Sequence, residues 1–132
     1  MQHLPTRRTR RAAGRARRAV IRARATANRL AASCRRRPRS ITTHLIAAGV
    51  APATAAGCSS SLHSVAKRIG VQPAKVTTTR RTAAGGRARR THPVFRYTRA
   101  QVAVLVSMYR PRKAEYKAAA AQLTQFSMGV AA

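Results

Sequence analysis

The chain has 132 residues, 28 of them Lys or Arg against a single acidic residue, Glu115, for a formal net charge of +27. Such a surface repels itself unless a polyanion neutralises it, so nucleic acid is the expected partner and an anionic membrane surface the weaker alternative. One carboxylate supplies neither an acid/base pair nor a metal triad, and no apolar run approaches the roughly 18 residues of a membrane span, so the expectation is no catalysis, no metal, no cofactor, no small-molecule substrate and no membrane partner.

The charge is uneven along the chain. Residues 1–40 hold 14 of the 28 cations but only four Leu, Ile, Val or Phe residues; residues 41–132 hold the other 14 cations and 18 of those apolar residues. Residues 1–39 therefore read as a disordered, Arg-rich basic arm, with arginines on every side of any helix drawn through them and a transit-peptide flavour as a minor alternative. Such an arm neutralises phosphates and gains helix on binding.

Residues 40–82 read as a helical domain. Ser40 N-caps a helix from Ile41, with Ile41, Leu45 and Ile46 as its apolar stripe and Gly49 at its end. Pro52 starts a second helix reaching Ile69, in which Cys58, Leu62, Val65, Ala66 and Ile69 recur at three- and four-residue steps. Gly70-Val71-Gln72 is then a turn, Pro73 restarts the chain, and a third helix over about residues 73–82 turns Val76 inward. GVAPA at 49–53 echoes GVQPA at 70–74, consistent with two Gly-ended, Pro-started helix junctions.

That order predicts a helix-turn-helix over Leu62 to Arg81, with Val65 and Ala66 before the turn and Val71 and Val76 after it. If Val71, Val76 and Thr79 face inward, then Gln72, Ala74, Lys75, Thr77, Thr78 and Arg81 form the outward side of a recognition helix in the major groove, flanked by Arg80. Gln suits adenine, Arg suits guanine or phosphate, and Thr methyls suit thymine methyls. The alternative for Thr77, Thr78 and Thr79 is a solvated face of poor helix formers.

Residues 83–93, AAGGRARRTHP, read as a basic Gly-containing linker, whose Arg87, Arg89 and Arg90 suit phosphates or a narrow minor groove. Residues 94–127 read as a second helical unit. Thr98 with Gln101 is a capping-box pattern, and Val102, Leu105, Val106 and Tyr109 form an inner stripe. Pro111 breaks that helix. A further helix over about 112–125 turns Tyr116, Ala119, Ala120 and Leu123 inward. Arg96, Arg99, Arg110, Arg112, Lys113 and Lys117 surround the unit as further backbone or groove contacts, the alternative being a helical cap that packs on the first domain or on a partner protomer. Residues 128–132 read as a frayed tail. The fold class expected is thus all-α: a small helix-turn-helix bundle plus a second small helical unit behind a basic arm.

With its turn motif followed by RRT at 80–82, RYT at 96–98 and YRPRKAEYKAA at 109–119, the chain resembles the helix-turn-helix immunity repressors of temperate actinobacterial phages. The resemblance implies a two-domain transcription regulator that grips double-stranded DNA as a monomer or weak dimer. It also implies a cytoplasmic, nucleoid-associated location in a bacterial host. The last residues, Val130-Ala131-Ala132, are similar to a Leu-Ala-Ala degradation signal of some such repressors. The competing class is a non-specific structural binder of the ribosomal or nucleoid kind.

Enzyme signatures are missing from the sequence: there is no GxxxxGK loop and no GxGxxG turn. Cys58 and His63 are five residues apart, on different helix faces, and imply neither a thiol–imidazole pair nor a zinc site. Cys34 and Cys58 read as free thiols in a reducing compartment, and His44 and His92 as surface or packing residues.

Overall fold

The structure is a computed structural model that describes residues 4–82 and 89–129, and for residues 80–82, 89 and 90 the backbone alone. Its elements in chain order are α1 (Arg7–Arg36), α2 (Ile41–Ala47), α3 (Pro52–Ile69), β1 (Lys75–Thr82), β2 (Arg89–Arg96), α4 (Arg99–Ser107) and α5 (Ala114–Ser127). The fold is mostly helical but not all-α, because β1 and β2 form a two-stranded antiparallel sheet.

Local sequence signals account for the helix ends. The Ser40 hydroxyl accepts from the Thr43 N–H at 3.3 Å and so caps α2. Pro52 occupies the first turn of α3, where a missing N–H costs nothing. Gly70 closes α3 at φ 76°, a left-handed conformation L-residues avoid, and lets the Val71 N–H reach the Ala66 carbonyl at 3.0 Å. Thr98 and Gln101 form a reciprocal capping box at the start of α4.

The buried faces lie at helical spacing. Ile41, Leu45, Cys58, Leu62, Val65, Ala66, Val102, Leu105, Val106, Tyr109, Ala119 and Leu123 belong to one hydrophobic cluster that joins α2, α3, α4 and α5. Ile46 departs from expectation: it is 38% exposed, and His44 is buried in its stead. One turn of α2 carries both, and the face that meets α3 is the one bearing Ile41, His44 and Leu45. Gly57 lies under Tyr116 of α5, whose hydroxyl occupies the space a Cβ would need.

The third helix expected over about 73–82 does not form. Lys75–Thr82 is a strand, so the helix-turn-helix centred on Gly70 is replaced by a helix followed by a hairpin. Val76, Thr77, Thr78 and Thr79 are four consecutive β-branched residues, which favour extended backbone. They find a partner in β2, where Val94 and Phe95 suit a strand equally well. The register pairs Lys75 with Arg96, Val76 with Phe95, Thr77 with Val94, Thr78 with Pro93, Thr79 with His92, Arg80 with Thr91, Arg81 with Arg90 and Thr82 with Arg89. Residues 89–93, expected as linker, thus lie in β2; residues 83–88 fall outside the described residues. The two GV-Pro junctions therefore differ: the first joins two helices and the second joins a helix to a strand.

The segment read as a disordered arm is a continuous 30-residue helix, capped at its start by Thr6, whose hydroxyl accepts from the Thr9 N–H. Its first two-thirds stand clear of the rest: residues 15–29 are all exposed. Docking begins at Leu30 and is complete at Cys34, which is buried. Just after the helix, Arg39 exchanges both backbone hydrogen bonds with Tyr97, at 3.0 and 2.8 Å, so the end of β2 is pinned to the α1–α2 connection. The Arg39 guanidinium donates to Ser33 Oγ at 2.8 Å. Met128 and Gly129 are exposed, and the Val130-Ala131-Ala132 end lies outside the described residues.

Candidate nucleic-acid interface

Helix α1 carries 12 arginines and no acidic residue. At about 100° per residue they fall into two rows. Arg7, Arg8, Arg11, Arg15, Arg18, Arg22, Arg29 and Arg36 make one, and Arg10, Arg17, Arg24 and Arg35 make the other. Together they cover an arc of about 200°. The remaining side carries Ala12, Ala16, Ala19, Ala23 and Ala27, and runs into the docked Leu30 and Cys34. The expectation that no face is clean is corrected: one side is free of arginine, and it is the side that meets the body. The signal was present in the spacing, hidden because alanine is a weak marker of burial.

The hairpin is the second cationic element. Of the residues expected to read bases, Gln72, Ala74, Lys75 and Thr78 are exposed and Thr77 is half-buried. They occupy a turn and a strand rather than a helix face. Thr77 Oγ1 accepts from Arg96 Nε at 3.1 Å, so these two are joined, and Arg96 is half-buried by the contact. Gln72 is held through its carbonyl, which accepts from Gln101 Nε2 at 2.7 Å. The ladder sets Arg80 opposite Thr91, Arg81 opposite Arg90 and Arg89 opposite Thr82. Arg87 lies outside the described residues.

The cations of the second helical unit divide into two kinds. Arg99 is engaged internally: Nε donates to the Phe126 carbonyl at 3.1 Å, and the guanidinium lies 6.0 Å from the centre of the Phe126 ring. Arg110 donates to the Ser107 and Tyr109 carbonyls at 2.9 and 3.2 Å, which satisfies the end of α4. Lys113 sits over the Tyr116 ring at 5.3 Å, with its residue still exposed. Arg112 and Lys117 are exposed. Arg99 and Arg110 thus have structural work that their sequence context did not signal.

Helix α3, the partner of α2 across the Gly49 junction, is a poor phosphate binder over most of its length. Its exposed stripe is Ala53, Ala56, Ser60 and Ser64, and cations appear only at Lys67 and Arg68.

The buried titratable groups are neutral. Burial pushes the thiols of Cys34 and Cys58 up, and both cysteines are free. Burial pulls the imidazoles of His44 and His63 down. No group of three or more His, Cys, Asp or Glu side chains that could hold a metal ion occurs among the described residues. Among them, too, no helix is long and apolar enough to cross a membrane. The chain matches no protein-family model, no curated protein and no solved structure.

Proposed function

We propose that this protein binds double-stranded DNA through α1 and the β1–β2 hairpin, and that it regulates transcription in the manner of the phage repressors it resembles. The observation that carries the proposal is the pair of arginine rows on α1. A helix of 30 residues is about 45 Å long. Laid in the major groove, it offers one row to the phosphates of each strand, while the narrow gap between rows, with Gly14, the exposed Ile21, Ala25 and Asn28, faces the base edges. Asn28 is the residue of that gap suited to adenine. A two-stranded ribbon also fits the major groove, so the hairpin adds a second contact in which Lys75, Thr78 and His92 are exposed.

A second reading is a non-specific structural nucleic-acid binder. The strand at Lys75–Thr82 favours it, because the recognition helix expected there does not exist and arginines outnumber base-reading side chains on α1. Competition separates the two. Binding to a duplex selected from a random library survives excess random DNA if the protein reads sequence. Equal competition by random duplex or by RNA defeats the regulator reading and leaves the structural one.

A further inference from the structure

Between the C-terminal half of α3 and the base of the hairpin lies an open cleft of about 550 Å³. That volume is within the roughly 300–1,000 Å³ typical of small-molecule sites. One wall is aromatic. Phe95 of β2 stands 38% exposed, although an aromatic residue on a strand ordinarily finds cover. His63 of α3 meets it nearly edge to face, with ring centres 6.1 Å apart at 62°, and meets Tyr97 at 6.0 Å and 56°. Pro93 and Val71 add apolar surface, and Lys67 and Gln72 stand exposed at the rim.

We infer that this cleft takes one unstacked nucleobase, stacked on Phe95 with its phosphate near Lys67. The inference rests on the DNA-binding reading and names a ligand class for a site that reading does not use. The chemistry of the walls matches the parts of a nucleotide. An exposed aromatic face stacks on a base without regard to its identity. An amide such as that of Gln72 offers both a donor and an acceptor to a base edge. A lysine at the rim supplies the counter-charge for the phosphate. Bases inside a duplex are stacked on their neighbours and cannot enter such a cleft, so its occupant is a nucleotide extruded from the helix or already unpaired. The location agrees, since Phe95 lies on the same strand as Arg89, Arg90 and Arg96. The protein then prefers duplexes carrying an unpaired nucleotide over fully paired ones.

The test uses the full chain and two DNA duplexes identical except that one holds a single unpaired 2-aminopurine. Stacking quenches its fluorescence. The wild-type protein is expected to quench the unpaired probe and to bind that duplex about 5-fold or more tightly than the paired one, the scale of one aromatic–base stack. Phe95→Leu, which keeps the apolar bulk, is expected to bring the ratio of the two affinities to one, and Phe95→Tyr to retain it. Equal wild-type affinity for the two duplexes overturns the inference while leaving DNA binding intact, as does a preference that persists in Phe95→Leu. Failure to bind either duplex removes both the inference and the reading beneath it.

Discussion

His44 Nε2 donates a hydrogen bond to the carbonyl oxygen of Tyr97 at 2.9 Å, across 53 residues of chain. The carbonyl only accepts, so the Nε2 nitrogen carries the proton. Tyr97 ends the hairpin and is itself locked to Arg39. A fully buried imidazole on α2 therefore fixes where β2 leaves the helical body.

The first prediction concerns pH. Burial holds the His44 imidazole below its ordinary value, so the unfolded chain binds the proton more readily than the folded one. The stabilising contribution is then full above about pH 6.5, the unfolded value, and is lost as pH falls below it. His63 adds the same sign, its pKa lowered first by burial and then by Lys67. Denaturant unfolding should give a lower midpoint at pH 5 than at pH 7. His44→Gln should cost about 1–3 kcal/mol at pH 7 by disturbing the bond to Tyr97, and should flatten the pH dependence. A midpoint that is the same at both pH values contradicts the buried neutral imidazole.

The second prediction concerns the hairpin register. Arg81 pairs with Arg90, and like charges directly opposite one another weaken a ladder. Arg81→Glu replaces repulsion by attraction and should stabilise the hairpin by about 0.2–1 kcal/mol, read as a raised thermal midpoint. The same change should weaken DNA binding, because it sets a carboxylate against phosphate. A variant that loses stability would show that these two positions do not face each other across the ladder.

The helical body was legible because its signals are local and strong. Ser40, Pro52, Gly70 and the Thr98–Gln101 box marked helix ends, and the stripe through Cys58, Leu62, Val65 and Ala66 marked a buried face. The hairpin was missed because Pro73 suits a helix start and a strand approach alike. The deciding partner, Val94-Phe95, lies well downstream across a Gly-rich stretch, and no local pattern announces a pairing at that distance. The two rows on α1 were missed for a different reason. Arginine is a good helix former and alanine the best, but neither carries the apolar contrast by which a face is ordinarily recognised. Arg99 and Arg110 read as groove contacts because sequence shows charge, whereas their carbonyl partners come from the folded backbone around them.

The third prediction concerns α1. Arg7 and Arg11, Arg11 and Arg15, and Arg18 and Arg22 are like-charge pairs at four-residue spacing, each destabilising by about 0.2–0.5 kcal/mol, and residues 15–29 are exposed, with no packing to compensate. Helix content by far-ultraviolet circular dichroism should therefore rise when duplex DNA is added at low salt. Sulfate should produce part of the same gain. No change in helix content on adding DNA would show that α1 does not respond to phosphate neutralisation.

The claim on which the account turns is that α1 grips phosphates. Removing residues 1–26 takes away nine arginines and leaves Leu30, Cys34 and Arg39 to hold the body together. The measurement is the dependence of duplex affinity on salt concentration for the full and the shortened chain. Every phosphate that the shortened chain leaves unneutralised should reduce the slope of log affinity against log salt by about 0.9. A slope several units shallower in the shortened chain is the predicted result. An unchanged slope, with the shortened chain still folded, would show that α1 does not touch DNA and would contradict the account.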